Sequence, residues 1–115
     1  MTPTLYGISN CDTVRKARRW LEEAGVTYSF HDLRSDGLDR ETVAQWIDAK
    51  GWETVVNRRS TSWKALDPEL RDSMDAKRAV LAILDAPTLV KRPVLASADT
   101  LEFGFTPARY AELLG

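Results

Sequence analysis

The sequence predicts an α/β domain built on a mixed four-stranded sheet, in the order β-α-β, several helices, then β-β-α. The chain opens with two apolar runs flanking a helical pattern within about 30 residues, the length of a parallel βαβ unit with a right-handed crossover. It closes with two strand-like runs around a polar turn, followed by a helix, which implies an antiparallel pair. The helical middle shows no repeat, low-complexity stretch or linker. It therefore reads as an insert at about residues 39–86 of one domain spanning 1–115.

Thr4–Ile8 reads as the first strand. Thr13–Ala24 reads as a helix, because Val14, Ala17, Leu21 and Ala24 recur at spacings of three and four, and Gly25 stops it. Val26–Leu33 reads as the second strand, with Val26, Tyr28 and Phe30 alternating with Thr27, Ser29 and His31. Ser35-Asp36-Gly37 is a turn. Asp39 caps a helix to about Lys50 that turns Val43, Trp46 and Ile47 inward, and Gly51 breaks it. Short helical pieces are expected at Trp52–Val56, Trp63–Leu66 and Pro68–Asp72, with a polar, basic loop at 57–62. A longer helix is expected at Asp75–Asp85, with Ala76, Ala79, Val80, Ile83 and Leu84 on one face. Val90–Ala96 has strand composition around Pro93. Ser97–Thr100 is a turn, and Leu101–Phe105 alternates as the last strand. Thr106 caps a final helix with Pro107 at its first position, docked by Tyr110, Leu113 and Leu114.

The composition is that of an ordinary globular domain: 115 residues, 43% hydrophobic, 29% charged, net charge -1. It lacks the cationic excess of a nucleic-acid binder. One Cys and one His leave no internal disulfide and no Cys/His metal site, so no metal or bound cofactor is expected. No apolar stretch approaches the ~18 residues of a membrane span. The first residues lack the basic start and apolar core of a secretory signal, so the expected compartment is the cytoplasm, which keeps a free thiol reduced.

Cys11 lies between the first strand and the start of the basic helix. Unpaired N–H groups and the helix dipole favour an anion there, and such settings mark reactive thiolates. The competing reading is a small buried hydrophobe. Candidate cations occur at Arg58 and Arg59 and at Lys91-Arg92, before Pro93. Arg holds oxyanions and carboxylates by paired hydrogen bonds. A thiolate with these segments suits attack on an oxyanion or a disulfide, with a glutathione carboxylate held nearby. Asn10 and Thr13 either orient the thiol or cap the helix. Asp12 would oppose the thiolate if turned inward, and is expected to face the helix start or solvent. Arg15, Lys16, Arg18 and Arg19 read as a solvated face, His31 as structural, and the four Trp as core or half-buried.

Tyr6-Gly7-Ile8-x-Asn10-Cys11-Asp12-Thr13, Phe30-His31-Asp32, Asn57-x-Arg59-x-Thr61-x-Trp63, Lys91-Arg92-Pro93-Val94 and Gly104-Phe105 occur in this order. Together they resemble the ArsC/Spx family, in its short YffB-like branch, over essentially the whole chain. The resemblance implies a thioredoxin-like fold with a helical insertion and a cis Pro93 opposite the reactive cysteine. In the family's arsenate reductases the cysteine matches Cys11 and three arginines bind the oxyanion and its glutathione adducts. One of these matches Arg92, and another falls in Asn57-Arg58-Arg59, where Arg59 fits the YffB-like pattern better. The third falls on Thr106, which weakens the arsenate reading. The Spx regulators bind the RNA polymerase α subunit, and many carry a C-x-x-C switch. Here Val14 takes the second cysteine's place, and the chain ends without their helical tail. Their polymerase-contacting glycine coincides with Gly51, which a helix stop explains equally well.

The expectation is a cytoplasmic, glutathione-dependent monothiol reductase with Cys11 as nucleophile and external glutathione as co-substrate. Asn10, Thr13, Arg59, Arg92 and Pro93 would serve binding, with Asp12, Arg58 and Lys91 as secondary candidates. Arsenate reduction is the alternative chemistry. The alternative of another class is an interaction module for the polymerase α subunit, with no direct nucleic-acid contact.

Overall fold

The computed structural model describes residues 2–114. The chain divides into two compact units: residues up to Asp36 together with those from Arg92 onward, and the contiguous segment Gly37–Lys91.

The first unit holds strands β1 (Thr4–Gly7), β2 (Ser29–Asp32), β3 (Val94–Ala96) and β4 (Leu101–Phe103), with helix α1 (Asp12–Glu23) following β1. The sheet order is β2-β1-β3-β4. β1 runs parallel to β2, with Leu5 opposite Phe30, and antiparallel to β3, with Leu5 opposite Leu95. β3 and β4 are antiparallel, with Val94 opposite Phe103. This is the mixed four-stranded α/β sheet expected from the sequence.

α1 packs on β1 through residues three and four apart. Leu5, Ala17, Leu21, Leu95 and Tyr110 form one buried cluster, with Trp20, Val26, Tyr28, Phe30, Phe105 and Leu114 packed around it. The rings of Trp20 and Phe105 meet Tyr110 edge-on, at 5.8 and 4.7 Å between centroids. Gly25 adopts φ +72 and ends α1, with Val26 N–H donating to the Leu21 carbonyl. That turn keeps Val26–Tyr28 out of the second strand, which begins only at Ser29.

The second unit contains the helices expected from the insert: α2 (Arg40–Lys50), α3 (Trp52–Val55), α4 (Thr61–Lys64), α5 (Pro68–Asp72) and α6 (Ala76–Asp85). Asp39, Ser60, Asp67 and Asp75 each cap a helix by accepting a backbone N–H bond. α2 and α6 pack together through Val43, Trp46 and Ile47 on one side and Ala79 and Ile83 on the other. Ala76, expected on that face, is exposed because it is the first residue after its cap. A 3-10 turn at Pro87–Leu89 was not anticipated. Val90 forms only an isolated bridge to Val56, so strand structure does not extend through it toward Pro93.

The chain returns to the first unit at Arg92. After β4, Gly104 adopts φ +87 and ends the strand before Phe105. Thr106 then caps α7 (Pro107–Leu114), accepting a hydrogen bond from Arg109 N–H at 3.2 Å. Among the described residues no helix is long and apolar enough to cross a membrane.

Replacing fully buried Leu95 by Ala removes one wall of the cluster around Tyr110. The expected loss, read by urea unfolding, is about 2–5 kcal/mol. A pH effect is expected at the turn after β2. Asp32 accepts from the backbone N–H groups of Ser35 and Arg34, which hold its carboxyl below its ordinary 3.8. A depressed carboxylate stabilises fully above its unfolded value and loses that contribution as pH falls through the folded value. The stability gap between wild type and Asp32→Asn should therefore shrink as unfolding is measured from about pH 5 down to about pH 2.

Candidate functional site

Cys11 is the residue at which β1's exit loop becomes a helix. Its backbone is extended, φ -111 and ψ 124, and it is the N-cap of α1. Its carbonyl accepts the first helical bond from Arg15 N–H at 2.9 Å. Its side chain makes no capping bond, which leaves the half-buried thiol uncommitted at the positive end of the helix.

Asn10 and Thr13 are exposed, on either side of this cap. The capping alternative for them is overturned, because Cys11 itself occupies the N-cap position. Asp12 faces solvent, its side chain 86% exposed and paired with Arg15 at 2.6 Å. It is not turned toward the thiol, and such an exposed pair contributes little to stability. His31 stacks at a tilt on Tyr6, 4.7 Å between ring centroids, in keeping with a structural role.

Arg92 and Pro93 lead into β3, the central strand beside β1. The register pairs Tyr6 with Val94, so the chain leaving β1 and the chain entering β3 meet at the same end of the sheet. The Cys11 loop and Arg92-Pro93 are thus brought to one end of the sheet's two central strands. The Arg92–Pro93 peptide bond is cis, as the family resemblance implied. Pro93 is buried and its carbonyl accepts from Gly104 N–H at 2.9 Å, while Arg92 is half-buried. Among the described residues Arg92 makes no salt bridge.

The other three candidate cations belong to the second unit. Arg58, Arg59 and Lys91 line one cleft of about 610 Å³, together with Asn57 and the carboxylate of Glu53. Asn57 Oδ1 accepts from Arg59 N–H at 3.0 Å and so shapes the loop that carries both arginines. Ser60 closes the loop, donating to the Asn57 carbonyl at 2.7 Å and accepting from Trp63 N–H at 3.1 Å. Arg58 lies 5.6 Å from the centre of the Trp52 ring, which stacks on Trp63. None of these three cations makes a salt bridge among the described residues, and three positive charges against one carboxylate give the cleft an anion-attracting character.

Residues 6–113 match the ArsC family. The chain belongs to that family. This ArsC-family chain is 40% identical over 107 residues to an uncharacterized protein of Haemophilus influenzae, covering 93% of this chain and 94% of that one. It is 28% identical over 104 residues to the global transcriptional regulator Spx of Listeria innocua, covering 89% and 79%. Among solved structures, the YFFB protein superposes with a TM-score of 0.95 at 42% identity, covering 99% of this chain and all of that one. An arsenate reductase (ArsC) related protein from Brucella melitensis gives 0.80 at 44% identity, covering 97% and 93%. The fold is accordingly thioredoxin-like.

Gly7 and Asn57 lie within sequence motifs that do not by themselves reveal a role for either residue. For Asn57 the signal was present, since an Asn two residues before Arg59 can bond its backbone in an Asx turn. For Gly7 the only signal was a glycine at a strand end, which does not reveal what lies against it.

Ser60→Ala removes the cap of α4 and the closing bond of the arginine loop. The expected loss is about 1 kcal/mol in denaturant unfolding, with faster amide exchange at Trp63 as the local signature.

Proposed function

We propose that this ArsC-family protein is a thiol-dependent oxidoreductase that reduces glutathione mixed disulfides through Cys11. The observation that carries the reading is the Cys11 N-cap, whose thiol makes no capping bond at a helix start that follows β1 at the same end of the sheet as Arg92 and Pro93.

The Cys11 thiolate attacks the glutathione sulfur of a mixed disulfide R–S–S–G. A Cys11–S–S–G bond forms, the S–S bond of R–S–S–G breaks, and the departing R–S⁻ takes up a proton. The thiolate of a second glutathione then attacks the glutathione sulfur of the adduct, producing oxidised glutathione and regenerating the Cys11 thiolate. The resolving thiol has to come from outside, since the chain has one cysteine. Arg92 binds a carboxylate of the glutathione portion, and Pro93 with exposed Asn10 and Thr13 borders the approach to the sulfur. The cleft of Arg58, Arg59 and Lys91 is an anion-binding surface in its own right. Asp12, committed to Arg15, contributes no contact.

Arsenate is the weaker substrate in this reading, because the residue before Pro107 is a threonine engaged as a helix cap. The similarity to Spx regulators supports a second reading, a module that binds the polymerase α subunit. Val14, in place of a second cysteine, argues against a disulfide-switched version of it.

The test is turnover of a glutathionylated peptide with glutathione as reductant. Cys11→Ser should abolish turnover, and Arg92→Ala should lower kcat/KM about tenfold, mainly through KM. Absence of turnover by the wild type, together with capture of the polymerase α C-terminal domain unaffected by Cys11→Ser, would replace the enzyme reading with the binding one.

A further inference from the structure

Gly7 ends β1, and its place there has no conformational reason. The glycines at positive φ among the described residues are Gly25, Gly37, Gly51 and Gly104, and Gly7 is not one of them. A Cβ at Gly25 or Gly37 would meet nothing within 4 Å. A Cβ at Gly7 would lie 2.8 Å from Val14 Cγ2 and 2.9 Å from Val14 Cγ1. No side chain fits at Gly7 unless Val14 moves.

Val14 cannot give way easily. It is fully buried in the first turn of α1, and a β-branched side chain in a helix is held to one strongly preferred rotamer. Both methyl groups face Gly7, so rotation exchanges one clash for another. Relief has to come from displacing the turn itself. That turn starts at Cys11, whose carbonyl is bonded to Arg15 N–H, the residue after Val14. Pushing Val14 away from β1 therefore carries the Cys11 cap and its surrounding N–H groups with it.

We infer that the bare face of Gly7 and the two methyl groups of Val14 form a contact that positions the Cys11 thiol for the proposed exchange reaction. Gly7 and Val14 are positioning residues: neither touches the substrate, and both act by fixing the height of the first helical turn above β1. The inference rests on the thiol–disulfide reading given above. It assigns Val14 a role of its own, beyond being the residue found where some relatives carry a second cysteine.

A double-variant cycle tests this, using the rate of Cys11 alkylation by iodoacetamide in the folded protein relative to the same chain unfolded in urea. Wild type should exceed its unfolded chain. Gly7→Ala should lower the folded rate about tenfold, the scale on which small misplacements act. Val14→Ala, which leaves a gap instead of a clash, should also lower it. In Gly7→Ala/Val14→Ala the added methyl occupies the vacated space, and the rate should return to within about twofold of wild type, a coupling that independent sites do not show. A folded Gly7→Ala with the wild-type rate would overturn the inference, as would single effects that merely add in the double variant. If Gly7→Ala fails to fold, the comparison passes to the Val14→Ala background. There, adding Ala at position 7 should speed alkylation, and slowing it further would overturn the inference. Failure of the underlying reading looks different: wild-type Cys11 would then react no faster folded than unfolded and would not exchange with a glutathione mixed disulfide.

Discussion

The pairing of β1 between β2 and β3 decides where the chemistry-bearing residues fall. β1 is bonded to two strands remote in sequence, parallel to one and antiparallel to the other. A slip of one residue would turn Leu5 out of the cluster with Ala17, Leu21 and Leu95, so burial holds the register. With the register held, Tyr6 faces Val94, and Cys11 and Arg92 arrive at one end of the sheet although about eighty positions separate them in the chain. α1 then needs only a short loop to begin at that end. The thiol's setting at the helix cap follows from the sheet, not from bonds made by the cysteine side chain.

The two units rely on different means of definition. The first is ordered by strand register and by the apolar cluster around Leu5 and Tyr110. The second is built from short helices that could not persist alone, and nearly every one begins with a capping Asp or Ser. The loop of Arg58 and Arg59 inherits its shape from this economy. Asn57 and Ser60 fold the loop, and Ser60 is also the cap of the next helix.

Much of this was legible because the decisive residues act locally. Asp39 before an apolar helix pattern, Gly25 and Gly51 at helix ends, and Thr106-Pro107 all signal through their own chemistry. The errors occurred where a local pattern met a tertiary condition. Val26 and Tyr28 alternate as in a strand, but the turn that ends α1 holds Val26, and pairing starts only where β1 offers a partner. Phe105 completes an alternation, yet Gly104 turns the chain and sends the ring onto Tyr110. Asn10 looked like a cap because it is a good capping residue, whereas the loop's length placed Cys11 there. The reason for Gly7 was beyond sequence reading altogether, since it lies in what another element brings within 3 Å.

Thr106 carries a consequence for how such a chain can diverge. Its hydroxyl closes the start of α7, the helix that delivers Tyr110 to the core. The family resemblance puts a third anion-binding arginine at this same position. An arginine cannot cap, so acquiring it would forfeit about 1 kcal/mol of helix-end stability unless a neighbour supplied a substitute. Oxyanion affinity and a secure last helix compete for one residue.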